Sequence, residues 1–250
     1  MSEHVSIQRT GTSLELTLNR PDKKNAITGD MYRAMAFAIL SAEADRQVRS
    51  IVFSGNGNAF CSGNDLQDFL SAPLSDDAPV LTFLKAISST SKVMIAAVHG
   101  PCVGIGATLL LHCDYVAAAP SAMLAFNFVK IALVPEAASS LLLARTVGRL
   151  KAAELLLTGE PVAAQEARAL GLVSAVCAEG EQLTAARAFA RKLDVLPPEA
   201  LVATRKLLQA KSRTVSARID EEADVFKHQL ASAEFQEAVA AFMQKRAPKY

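Results

Sequence analysis

Positions 5–9 and 14–19 alternate apolar and polar side chains on either side of Gly11, the period-2 pattern of two strands joined as a hairpin. Asn19-Arg20-Pro21 ends the second run, and a polar loop of Asp22, Lys23, Lys24 and Asn25 follows. Near Thr28 the spacing becomes that of a helix, with Met31, Met35, Ile39 and Leu40 as its apolar face. Apolar runs at 50–53, 93–98 and 115–119 read as short buried strands, and 106–112 as a buried helix between the last two. Strands alternating with helices in this way predict a parallel sheet built from strand–helix–strand units, an α/β fold. The Pro-, Ser- and Asp-bearing stretch 72–79 reads as a mobile loop. From Glu136 onward the pattern is mostly helical, interrupted by a strand at 172–176 after Gly171. Pro197-Pro198 then precedes two amphipathic helices, 199–211 and 216–243. The chain divides near Asp194 into an α/β core, 1–194, and a helical region, 195–250.

Composition adds one positive inference. Hydrophobic residues make up 51% of the chain and mean hydropathy is +0.23, much of it from Ala and Leu, which points to helix faces covered by other subunits. A net charge of +1, with no basic run interleaved with aromatics, gives no electrostatic case for nucleic acid. Cys61, Cys102, Cys113 and Cys177 lack CxxC spacing and paired histidines, so neither a zinc site nor a disulfide framework is expected. No apolar stretch has membrane-spanning length, the N-terminus lacks a signal-peptide pattern, and Pro248-Lys249-Tyr250 is no peroxisomal address. The expectation is a cytoplasmic protein without a membrane partner.

Three segments could carry chemistry. Phe60-Cys61-Ser62-Gly63-Asn64-Asp65-Leu66 follows a strand and precedes a helix-like stretch, which puts the Asn64 N–H at a helix start without an intrahelical acceptor. That geometry suits stabilisation of oxygen charge, and it equally suits an ordinary turn with Asp65 as cap. Gly104-Ile105-Gly106-Ala107 follows strand 93–98 and offers the Ile105 N–H in the same manner. A dinucleotide-binding reading fails, because Leu109 stands where the third glycine of GxGxxG belongs. Together the two turns suggest a two-donor oxyanion hole. Glu136, directly after Pro135, could be an ordinary acid at a helix N-terminus. Its apolar neighbours Ile131, Leu133, Val134 and Ala137 fit instead a desolvated carboxylate of raised pKa, suited to proton abstraction. The histidines show no metal spacing, His99 reads as packed rather than ligating, and Cys61 and Cys102 have no basic partner for nucleophilic work.

Taken together, several segments resemble the crotonase, or enoyl-CoA hydratase/isomerase, superfamily. They are Leu18-Asn19-Arg20-Pro21 with Asn25-Ala26-Ile27, the turn at 60–66, and residues 99–106 with Cys113-Asp114. Val134-Pro135-Glu136, Leu157-Thr158-Gly159-Glu160 and Ala167-Arg168-Ala169-Leu170-Gly171-Leu172-Val173 continue the match in order. The resemblance implies a crotonase-like spiral of ββα units with parallel sheets and a helical C-terminal trimerisation region. It implies acyl-CoA substrates and a homotrimer or a dimer of trimers; CoA arrives with the substrate, and no separate cofactor or metal is expected. Oxyanion-hole amides fall on Asn64 and Ile105. Substrate contacts fall on Lys24, Ala26, Ser62, Gly63, Asp65 and Leu66, with Gly104 and Gly106 of the second turn.

The two glutamates of the family's hydratases correspond to Thr108 and Phe128, so water addition is not expected. An acid just after the proline, here Glu136, is similar to the Δ3,Δ2-enoyl-CoA isomerases of the peroxisomal and bacterial type. Such an enzyme would move a 3-enoyl-CoA double bond to the 2 position with Glu136 as both base and acid, in fatty-acid or related acyl-CoA degradation. Ala137-Ala138 departs from that pattern, which often has glycine after the acid. The alternatives are hydration or thioester hydrolysis using Asp65 or a solvent-facing acid, ring-opening isomerisation of an aryl-CoA epoxide (whose enzymes carry aspartate at this place), and a non-catalytic acyl-CoA-binding member.

Overall fold

Backbone pairing across the first alternation produces the hairpin, with β1 (Val5–Thr10) antiparallel to β2 (Ser13–Leu18) and Thr10 opposite Ser13. The computed structural model describes residues 2–71, 75, 78–209 and 212–250, so most of the loop expected at 72–79 lies outside the described residues. A 3-10 turn (Pro21–Lys23) leads toward α1 (Gly29–Ala44), whose start is set by the Thr28 side chain accepting the Met31 N–H at 3.4 Å. Met31, Met35 and Ile39 are buried, as their spacing predicts. Leu40 is not: it is 52% exposed, because the residue after Ile39 points about 100° further round the helix.

The chain continues through β3 (Ser50–Gly55), α2 (Leu66–Ser71), α3 (Pro79–Ser89), β4 (Val93–Val98), β5 (Pro101–Val103) and α4 (Ile105–Leu110). Next come β6 (Tyr115–Ala118), β7 (Met123–Ala125), α5 (Ser139–Val147), α6 (Arg149–Thr158), β8 (Val162–Ala163) and α7 (Ala164–Ala169). Last are β9 (Ala175–Val176), α8 (Gln182–Leu193), α9 (Pro198–Leu208), α10 (Ser212–Leu230) and α11 (Ala233–Met243). The larger sheet has the order β1-β2-β3-β4-β6-β9 and is parallel apart from the hairpin. The smaller one joins β5 to β7 in parallel and β7 to β8 antiparallel.

Strand β4 is buried from end to end because both faces of the sheet are covered. Met94, Ala96 and Val98 belong to one core cluster with Met35 of α1 and Phe83 of α3. Val93, Ile95 and Ala97 belong to another, closed by Ala186, Ala190 and Leu193 of α8. This is the α/β architecture the pattern predicts.

Two boundaries differ from expectation. The strand at 172–176 shrinks to Ala175–Val176, because the N–H groups of Leu172 and Val173 return to the Ala167 carbonyl at the end of α7 (2.8 and 3.3 Å). The single helix expected over 216–243 is two, since the Ser232 hydroxyl accepts the Phe235 N–H at 3.1 Å and starts α11. Both tail helices fold back on the core, α10 against α3 and α5, α11 against the 3-10 turn Phe128–Ile131. Among the described residues no helix is long and apolar enough to cross a membrane.

Candidate active site

The two turns are stitched together by backbone. Cys61 donates its N–H to Pro101 O (3.1 Å) and accepts from Val103 N–H (2.8 Å), so the first turn lies alongside β5. Asn64 bridges Ile27 in a parallel pair, with Ile27 N–H to Gly63 O and Asp65 N–H to Ile27 O, each 2.9 Å. That alternation leaves the Asn64 N–H facing away from Ile27, and no described backbone carbonyl accepts it. Ile105 is the first residue of α4, where a helix leaves its N–H groups without intrahelical partners. Gly104 holds φ +55 and ψ −121, backbone open in practice only to glycine. A Cβ on Gly106 would sit 2.8 Å from Cys61 Cβ, so the absence of a side chain there lets α4 approach the first turn.

Beside these turns lies a cleft of about 510 Å³. Lys24, Ala26, Ser62, Gly63, Asn64, Asp65, Leu66 and Gly104 all line it, with Phe128, Phe226, Phe242 and Met243 on its apolar side. Gly106 and the Ile105 side chain do not; both are buried behind it. The first loop is shaped by Asn25, fully buried, whose amide donates to Asn56 O (2.9 Å) and Ala59 O (2.8 Å) and whose oxygen accepts Arg20 N–H (2.8 Å).

Asp65 is held by Arg20 at 2.6 Å and accepts the N–H groups of Gln67 and Asp68, which makes it the cap of α2. Burial acts to raise its pKa, but these bonds and the Arg20 charge win and hold it below the usual aspartate value. An ionised, fully engaged carboxylate is a poor general base, which weighs against hydration or hydrolysis through Asp65.

Glu136 does not begin a helix. The helix starts at Ser139, and Glu136 precedes a turn in which Ala137 and Ala138 both adopt left-handed backbone, φ +60 and +56. Its side chain is buried, 5% exposed, and Oε1 has no hydrogen-bond partner among the described residues. Burial, and then the nearby charge of Glu222, push its pKa up to about 8, against a hydrogen bond from the Asn64 side chain. The carboxyl does not line the cleft itself. It occupies a void of about 10 Å³ next to it, and Phe226 borders both spaces. Asn64 joins the two as well: its amide side chain reaches Glu136, and its Oδ1 accepts the Tyr32 hydroxyl at 2.5 Å.

Thr108 and Phe128 place no carboxylate here. The Thr108 hydroxyl donates to Ile105 O at 3.4 Å, and Phe128 forms part of the cleft wall. Burial pushes the Cys61 thiol up to about 12, far from a thiolate nucleophile. His99 bonds Gly57 O through Nε2 at 3.0 Å and faces a separate polar recess. Among the described residues no group of three or more His, Cys, Asp or Glu side chains could hold a metal ion. Sequence reasoning missed Tyr32, Glu222 and Phe226, each of which is one more helix-face position in the linear pattern.

The family profile described as enoyl-CoA hydratase/isomerase matches residues 9–250. The chain is 32% identical to the 1,2-epoxyphenylacetyl-CoA isomerase of Escherichia coli K12, over 95% of this chain and 94% of that protein. It is also 32% identical to the 2,3-dehydroadipyl-CoA hydratase of the same organism, over 100% and 99%. The crystal structure of an enoyl-CoA hydratase/isomerase from Pseudoalteromonas atlantica T6c superimposes with a TM-score of 0.95, at 39% identity over 99% of this chain and 100% of that one. A profile match over nearly the full length, with the same path through both sheets and the tail, means that the chain has the crotonase fold and belongs to the enoyl-CoA hydratase/isomerase family.

Proposed function

We infer that the protein is an acyl-CoA isomerase that converts a 3-enoyl-CoA into the 2-enoyl-CoA by a 1,3-proton transfer. The observation that supports this reading is the buried Glu136 carboxyl, whose Oε1 has no partner among the described residues and whose other contact is Asn64, a residue of the turn that lines the cleft. In this mechanism the thioester oxygen lies between the N–H groups of Asn64 and Ile105. Glu136 takes a proton from C2, and the electron pair passes into a dienolate whose charge rests on that oxygen. The carboxylic acid so formed returns the proton to C4, leaving the double bond between C2 and C3 and the carboxylate as it began.

Magnitudes support a shared task. Loss of one oxyanion donor costs about 3–4 kcal/mol, and a positioned base contributes about 10²–10⁴-fold. Relatives at equal identity include both an isomerase and a hydratase, so the choice rests on the site: no carboxylate stands at Thr108 or Phe128 to handle a second proton. In this reading the enzyme serves fatty-acid or related acyl-CoA degradation in the cytoplasm, as a trimer or dimer of trimers assembled through the 195–250 region.

Glu136→Gln is expected to abolish isomerisation of 3-enoyl-CoA, followed by the appearance of the conjugated 2-enoyl-CoA, while acyl-CoA binding survives. Undiminished turnover in that variant would exclude Glu136. A second reading draws on the similarity to the E. coli epoxide isomerase; faster conversion of an aryl-CoA epoxide than of any 3-enoyl-CoA would favour it.

A further inference from the structure

The turn that carries Glu136 is gripped from two sides. From α10, Glu222 Oε2 accepts the Ala138 N–H at 2.6 Å, and its Oε1 accepts the Ser140 N–H at 3.0 Å and the Ser140 hydroxyl at 2.5 Å. From the end of α4, His112 Nε2 meets Ala137 O at 2.8 Å. Burial lowers the His112 pKa to about 4, so the ring is neutral near pH 7 and Nε2–H is the donor. Within the turn, Ser139 N–H bonds Glu136 O at 3.0 Å. Two consecutive alanines in left-handed backbone need such support, since each costs about 1–2 kcal/mol there. Glu222 is itself buried, 7% exposed, and shares with Glu136 a void that is otherwise walled by apolar groups such as Leu81, Leu84, Ile219 and Phe226.

We propose that Glu222 is a positioning residue for Glu136: its carboxylate, delivered by the tail helix, fixes the turn and so the aim of the base. This rests on Glu136 being the base. With both oxygens committed to three donors, Glu222 is not a second proton carrier. Burial raises the Glu222 pKa too, against its bonds to Ser140 and Ala138 and the Arg218 charge, and in its ionised form Glu222 opposes ionisation of Glu136. The other groups facing Glu136 are Tyr32 from α1 and Cys61 from the first turn, both kept protonated chiefly by burial. Behind them, Arg218 of α10 faces Glu222, and Asp68 of α2 faces Tyr32.

The test compares Glu222→Gln with the unaltered protein in kcat and KM for 3-enoyl-CoA across pH, with Glu136→Gln assayed in parallel. The Glu222→Gln change keeps the shape of the side chain but removes the charge and at least one acceptor. The expected result is a fall in kcat of up to about 100-fold, little change in KM, and an acid limb displaced to lower pH. A helix cap with no part in positioning would lower thermal stability and leave kcat on the high-pH plateau unchanged, even as loss of its charge moves the limb. Unchanged plateau kcat, with Glu136→Gln inactive, overturns the Glu222 proposal alone; activity in Glu136→Gln overturns the base assignment instead. Should Glu222→Gln fail to fold, Glu222→Asp and Ser140→Ala keep the charge and disturb the turn. Each should then lower kcat while the limb stays near its native position, and native kcat in both refutes the proposal.

Discussion

The raised pKa of Glu136 has a consequence for stability that is independent of the reaction. An ordinary glutamate value of 4.5 becomes about 8 in the folded protein, a difference of roughly 5 kcal/mol in the free energy of ionisation. The folded value lies above the unfolded one. Stability tied to the neutral carboxyl is therefore fully present below pH 4.5, declines as pH rises, and is lost by about pH 8. Between about pH 6 and about pH 9 the native protein should lose roughly 3 kcal/mol that a Glu136→Gln variant keeps. Guanidinium unfolding followed by circular dichroism at a series of pH values measures the difference directly, since groups such as Glu222 titrate in both proteins. In the same window kcat/KM should rise about tenfold per pH unit and level above about 8, because only the ionised form accepts a proton. Parallel stability curves for the two proteins would refute the reasoning, by showing that Glu136 ionises as an exposed glutamate does.

Two further substitutions separate the site from its scaffold. Gly106→Ala places a methyl group 2.8 Å from Cys61 Cβ and 3.1 Å from Cys61 O, pushing α4 and the Ile105 N–H away from the first turn. Steady-state kinetics should show kcat reduced by about 100-fold; native kcat would mean that the Ile105 donor is not needed. Arg205→Met removes a guanidinium that is 3% exposed at its side chain, bonds Asp114 at 2.6 Å and also reaches Thr90 O. Breaking such a pair should cost about 3–5 kcal/mol in chemical denaturation and leave the acid limb of kcat/KM unmoved.

The parallel core was legible because a strand buried on both faces is apolar throughout, as at Val93–Val98, and because the breaks at Gly100 and Pro101 fall where the chain turns. Most residues that the resemblance names as substrate contacts, Lys24, Ala26 and Ser62 among them, fall on the wall of one cleft, since they sit on loops and turns. What the sequence hid are contacts between distant helix faces. Tyr32 follows Met31 in α1 and could be assigned only to the buried side; nothing local says that its hydroxyl meets Asn64. Glu222 lies in a charged stretch, Asp220-Glu221-Glu222, where one carboxylate turns inward and its neighbour Glu221 pairs outward with Arg218. The left-handed turn was hidden for a different reason: alanine carries no signal for positive φ, so Ala137-Ala138 read as the start of a helix. The break at Ser232, whose hydroxyl caps α11, falls inside an apolar period that reads as one continuous helix over 216–243.

In the proposed mechanism that turn divides the labour of the site along the chain. The Asn64 and Ile105 donors are fixed by backbone pairing among Ile27, Cys61 and Val103, all within the α/β core. Nothing in that pairing orients Glu136, whose turn carries about 2–4 kcal/mol of backbone strain at its two alanines. Glycine at those positions would remove the strain and with it the restriction on where the carboxyl points. Alanine restricts the backbone only if other groups hold it in place, and two of those groups come from elsewhere, His112 at the end of α4 and Glu222 on α10. In the proposed mechanism the polarising half of the site draws on core residues, whereas the aim of the base draws on α10 as well.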